Sequence, residues 1–168
     1  MIRFYKKSQG SLVELEKADG PCWINISPPF SHSELEALAI DLDIPLDFLT
    51  DSLDIDERSR YEKEDDVRLI LVNAPTLNNS APENESLYLT IPIGIILTPD
   101  NVITISSYKE TVLNRFLSMK VKNFDPTNQQ KFVLLIFEQI VRDYLVCLKQ
   151  LNSKRNEIEK QLYDSSRN

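Results

Sequence analysis

The feature that most constrains this chain is its last quarter, where Asp125 to about Asp164 reads as one unbroken helix. Asp125 is a suitable N-cap, and Pro126 follows at the first helical position, where its missing N–H costs nothing. Neither Gly nor Pro occurs after it. Phe137, Tyr144, Leu151 and Ile158 recur at spacing seven, with Leu134, Val141, Leu148 and Leu162 beside them, so an apolar seam runs along one side. Phe132 to Phe137 is hydrophobic without a break, and the polar fraction rises from Lys149 onward. At 1.5 Å per residue such a rod is roughly 60 Å long, more than a domain of this size needs for its own core. Its distal half is expected to pack against something outside this chain.

The remainder, residues 1–124, is long enough for one α/β domain, with 125–168 as a helix of the same domain. Net charge is −7, and it is unevenly spread. Residues 34–66 hold thirteen Asp or Glu against Arg58, Arg60 and Lys63. Such a surface repels phosphate backbones and attracts cations, which argues against nucleic acid as a partner. Cys22 and Cys147 lie far apart in apolar contexts and read as buried thiols of a reducing compartment. No run approaches the roughly twenty apolar residues of a membrane span, and the start lacks a signal peptide's apolar core.

Strand signals dominate the first two-thirds. Ile2–Lys6 and Leu12–Glu16 flank a Ser-Gln-Gly-Ser turn, and Cys22–Ser27 forms a third strand that Pro28-Pro29 ends. Ser31-His-Ser-Glu34 is a capping box opening a helix to about Leu42, with His32 on its solvated first turn. A second short helix starts at Ile44-Pro45, and Asp47, Asp51 and Asp54 at i, i+4 and i+7 would stack three carboxylates on one face. Arg60–Glu64 and Val67–Thr76 form a hairpin about Asp65-Asp66; Leu77–Ser86 is a polar loop. Tyr88–Thr98 and Val102–Ser106 form a second hairpin, its first strand apolar on both faces and hence central. Lys109 to about Met119 reads as a modest helix. The expected fold is α+β: a mixed, largely antiparallel sheet flanked by helices, the last one projecting.

Enzyme chemistry finds little foothold: acids abound, as paired-carboxylate hydrolysis requires, but nothing in the sequence positions them around a cleft. Three glycines, at Gly10, Gly20 and Gly94, allow neither a Walker loop nor a dinucleotide fingerprint, and the lone His32 has no triad partner. Asp54-x-Asp56 begins like a calcium loop, but Ser59 stands where that loop requires glycine. A hard-cation surface remains, since carboxylates with retained water are how Mg²⁺ is held.

Residues 23–62 sharpen this. Trp23-Ile-Asn25, a helix, Ile44-Pro-Leu-Asp-Phe-Leu-Thr-Asp51-Ser-Leu-Asp54, then Arg58-Ser-Arg60-Tyr-Glu62 before a strand, resembles the amino-terminal domain of CorA-type magnesium transporters. Tyr88–Ser106 is similar to that family's hairpin, and Glu138 to Tyr144 to an acidic position followed by Asp-Tyr on its long helix. The resemblance implies a cytoplasmic regulatory domain at the membrane's inner face, a stalk helix, two membrane spans and a homopentamer. It implies Mg²⁺, or another divalent cation such as Co²⁺, held between subunits by acids that gate the channel. On this resemblance Asp51 falls on an acidic ligand position, Glu138 on a second, helix-borne one, and Asp54 is a further candidate. Thr50 departs from the pattern, in which many members have an acid there. Neither membrane span nor their Gly-Met-Asn occurs here, so the chain is expected to be a fragment, alone a monomer or weak oligomer. The competing expectation is a stand-alone interaction module whose acidic face binds a basic protein.

Overall fold

The computed structural model describes residues 1–78, 86–109 and 111–165. β1 (Ile2–Ser8) turns into β2 (Ser11–Leu15) through Gln9 and Gly10, both at positive φ, the conformation a two-residue hairpin requires. β3 (Trp23–Ile26) pairs with the other side of β1, Arg3 opposite Asn25 and Tyr5 opposite Trp23. β4 (Arg60–Glu64) and β5 (Val67–Leu77) meet at the expected Asp65-Asp66 turn. β6 (Tyr88–Leu97) and β7 (Val102–Ile105) complete seven strands in the order β2-β1-β3-β7-β6-β5-β4. Every pairing is antiparallel except β3 with β7, so the sheet is mixed and largely antiparallel, as expected. Most of the expected polar loop, 79–85, lies outside the described residues.

Alternation along the central strands builds two cores. Ile91, Ile93 and Ile95 of β6 face one side, with Trp23 and Val102; Ile96 faces the other, with Ile24, Leu69, Leu71 and Ile105. Helices cover both faces. α1 (His32–Leu42) buries Leu35 and Leu38, and α2 (Leu46–Asp51) buries Phe48 and Leu49, in the second core. α3 (Asn114–Leu117) and α4 (Gln129–Ser165) cover the first, through Phe116, Phe132, Ile136 and Ile140.

α1 starts where its capping box places it: Ser31 Oγ accepts from the Glu34 N–H at 3.2 Å, and Glu34 accepts from the Ser31 N–H at 2.6 Å. Ser31→Ala is expected to cost about 1 kcal/mol in urea unfolding; an unchanged midpoint would show the cap to be idle.

Three expectations are corrected. The long helix starts at Gln129, not Asp125, because Asp125 spends its carboxylate on the Thr127 N–H and hydroxyl in a turn with Pro126. Asn128 caps instead, accepting from the Lys131 N–H at 3.1 Å. The expected helix from Lys109 shrinks to the four residues of α3. Cys22 is a buried free thiol as expected, whereas Cys147 is only half-buried. His32 is exposed, 3.3 Å from Glu36.

Only the first half of α4 is docked. Phe132, Val133, Ile136, Gln139 and Ile140 are buried, while the spacing-seven seam lies largely on another face: Leu134 is 68% exposed and Leu148 54%. Tyr144 is shared, its hydroxyl donating to the Asn73 carbonyl at 3.0 Å. From Leu151 to Ser165 every residue is exposed.

Candidate functional site

Asp51 ends α2, and past it the backbone N–H groups reach only three residues back, Leu53 to the Thr50 carbonyl at 3.0 Å and Asp54 to the Asp51 carbonyl at 3.2 Å, so the helix gives way to turns. Those turns take Asp54 off the helix. The expected three-carboxylate stack does not form: Asp54 Oδ1 accepts from the Asp56 N–H at 3.0 Å, and Asp47 Oδ1 accepts from the Phe48 N–H at 3.0 Å. Thr50, where the resemblance favours an acid, donates its hydroxyl to the Asp47 carbonyl.

What Asp51 does meet is Arg60, nine residues on at the start of the edge strand β4. Arg60 Nη2 lies 2.6 Å from Asp51 Oδ2, Nη1 pairs with Glu57, and Nε lies 3.1 Å from Glu62 Oε2. One guanidinium thus serves three carboxylates and leaves an excess of two negative charges. Burial lowers the Arg60 pKa, but hydrogen bonds to Glu62 and Asp51 and the charge of Glu57 outweigh it and raise the net value. At 26% exposure for Arg60 and 38% for Asp51, the pair is wet enough to exchange partners. Arg60 was legible in sequence as a cation near Asp51, but its three-way bridging was not.

Glu138 stands on the solvent side of α4 and pairs with Arg142 at 2.5 Å. The neighbouring Asp143 faces α3 and pairs with Arg115 at 2.5 Å. α2 and α4 lie on opposite faces of the sheet, so Asp51 and Glu138 of one copy cannot share an ion. Among the described residues no three His, Cys, Asp or Glu are grouped so as to hold a metal. The donor chemistry suits a hard cation, but one copy supplies it piecemeal. Nor is any helix among the described residues long and apolar enough to cross a membrane.

A mixed sheet between two helical layers, an acid-rich flank beside α2 and a half-bare terminal rod together define the class: an α+β domain with a projecting helix. The chain belongs to the CorA-like Mg²⁺ transporter family, whose model, described as CorA-like Mg²⁺ transporter protein, matches residues 18–168. The family is one of transporters, not of enzymes.

Solved structures share the fold. The soluble domain of CorA from Methanocaldococcus jannaschii is similar at 25% identity and a TM-score of 0.75, over 96% of this chain and 64% of that one. The complete CorA magnesium transporter from the same organism is similar at 22% identity and 0.74, over 96% of this chain and 51% of that one. The ZntB cytoplasmic domain from Vibrio parahaemolyticus RIMD 2210633 is similar at 14% identity and 0.68, over 92% of this chain and 63% of that one. The chain therefore spans between half and two-thirds of these relatives. Comparison with curated proteins by sequence returned no match.

Proposed function

We propose that this chain is the cation-sensing, regulatory domain of a divalent-cation transporter, working on the cytoplasmic face of the membrane. The observation that carries the reading is the family match across residues 18–168. Mg²⁺, or another divalent cation such as Co²⁺, is both cargo and signal. It lies between Asp51 of one subunit and acids of the next in a homopentamer, with Asp54 nearby and Glu138 on α4 as a second, separate contact. The incomplete ligand set of a single copy agrees with this, since Mg²⁺ keeps several waters and takes one or two carboxylates from each surface. The exposed seam of α4 supplies the apolar face on which subunits associate.

Electrostatics then supplies the switch. Two carboxylates about 4 Å apart at an effective dielectric of 20 repel by roughly 4 kcal/mol, and the single Arg60 cannot neutralise three. A bound dication offsets that repulsion and holds the closed assembly; its loss pushes subunits apart.

In membranes carrying the full-length protein, Mg²⁺ at millimolar concentration is expected to slow proteolysis of this domain at least fivefold. Asp51→Asn is expected to remove most of that protection while leaving the circular dichroism spectrum unchanged. Equal protection in wild type and variant would overturn the role of Asp51, and a wild type indifferent to Mg²⁺ would overturn the sensor.

A further inference from the structure

On the sheet face covered by α3 and α4, a hydrogen-bonded relay fixes the orientation of one buried amide. The Trp23 indole can only donate, and its Nε1 gives a 2.7 Å bond to Thr104 Oγ1. The Thr104 hydroxyl proton must then go elsewhere, and the acceptor is Asn25, 2.9 Å away. Asn25 therefore turns its oxygen toward Thr104 and its NH₂ toward the opposite side. Asn25 is only 5% exposed, and its two N–H groups meet no acceptor among the described residues.

Those donors are not sealed in. The one fully enclosed side-chain polar atom without a partner among the described residues is Asn73 Oδ1, so the Asn25 nitrogen retains access to the cavity that the residue lines. That cavity, of about 140 Å³, lies between β1, β3 and the connection from β7 to α3. Arg3, the cross-strand partner of Asn25, lines it, as do Tyr5, Ser106, Lys109 and Asn114. Lys109 is exposed and forms no ion pair among the described residues. Arg3 donates Nε to Met1 Sδ at 2.8 Å and hydrogen-bonds Tyr5, and its one ion pair among the described residues is a loose 3.7 Å contact with the solvated Glu14. Two cationic residues and the two unspent amide donors of Asn25 thus line one space, well below the 300 Å³ at which drug-sized pockets begin.

We propose that this cavity binds a small free carboxylate, one oxygen taken by the Asn25 amide and the charge met by Lys109 and Arg3. The chemistry is the reverse of the acid-rich flank beside α2, and it calls on no residue assigned to cation sensing. A buried NH₂ group gains most from an anionic acceptor, because charge-assisted hydrogen bonds are about twice as strong as neutral ones. A carboxylate of one or two carbons fits the volume, and one of its oxygens can accept from an Asn25 N–H while the other stays free for a cation.

The test is an acetate titration of the isotope-labelled chain, following the Asn25 side-chain amide by NMR against sodium chloride at matched ionic strength. Acetate is expected to shift those resonances saturably and chloride not to. Lys109→Ala, at an exposed position that leaves the fold intact, is expected to weaken the acetate response at least fivefold. Asn25→Asp keeps the acceptor for Thr104 but replaces the donors with a second oxygen, and is expected to abolish stabilisation by acetate in thermal unfolding. An unsaturable acetate shift, or equal affinity in wild type and Lys109→Ala, overturns the proposal. Saturation by inorganic phosphate with none by acetate overturns the assignment to carboxylate.

Discussion

Trp23→Ala is expected to remove about 3 to 5 kcal/mol of folding stability, a large share of the roughly 5 to 15 that a domain possesses. Trp23 is fully buried, and its ring lies 5.3 Å from Tyr5, 5.7 Å from Phe124 and 5.1 Å from Phe132. Those rings come from β1, from the segment before α4 and from α4 itself, and Phe116 of α3 stacks on the last two at 5.0 and 5.2 Å. One side chain thus joins four parts of the chain. Truncation leaves a cavity bounded by a sheet and a helix, neither able to collapse into it. Urea unfolding followed by circular dichroism reads the loss, since the substitution removes the only Trp. Trp23→Phe separates the causes: it keeps most of the ring contact but withdraws the N–H that Thr104 accepts, and is expected to cost about 1 to 3 kcal/mol. A loss below 1 kcal/mol for the alanine variant would mean that the aromatic cluster does not anchor α4.

Gly94→Ala is the second large effect, and it acts on the other face. A Cβ at Gly94 would stand 2.0 Å from Ser52 Oγ, 2.5 Å from Ser52 Cβ and 2.9 Å from Ile105 Cγ2. Ser52 is fully buried and its hydroxyl is tied to the Phe48 carbonyl, so it cannot rotate away cheaply. Nor can β6 retreat, held between β5 and β7. The end of α2 must lift instead, at a cost of about 1 to 3 kcal/mol or more, and Asp51 moves with it. The matching test is Ser52→Gly in the Gly94→Ala background, which removes two of the three clashing atoms and leaves the 2.9 Å approach to Ile105 Cγ2. Stability should recover in part, giving a double-mutant coupling of at least 1 kcal/mol. Additive losses would mean that the two residues do not meet.

The local signals were readable because each is completed within a few residues. Ser31 and Glu34 satisfy each other's N–H groups; Gln9-Gly10 and Asp65-Asp66 close their hairpins; the two-sided apolar run of β6 demands a central place. Where a capable residue has a competing partner nearby, local pattern misplaced the boundary. Asp125 and Asn128 are both capable caps, and the Thr127 hydroxyl decided between them by giving Asp125 another partner. Helical spacing placed Asp54 above Asp51 only so long as the helix continued, and it gives way to i→i+3 turns after Asp51. In the candidate site, Asp51 and its acid-rich surroundings were legible as charge. The pairing with Arg60 was not, because it depends on the edge strand swinging beside α2. The Asn25 relay was not legible although Trp23-Ile-Asn25 stood out as a motif, since Thr104 comes from a strand that meets β3 only in the finished sheet.

That meeting also sets an order on synthesis. β1 with β2, and β4 through β7, are runs of neighbouring antiparallel strands that can zip up as they leave the ribosome. The parallel seam of β3 and β7 joins residues 79 apart, Asn25 to Thr104. Until β7 has emerged, β3 offers one unpaired edge to whatever else is nearby, so nascent chains stalled short of Ile105 are the ones that most need chaperone cover.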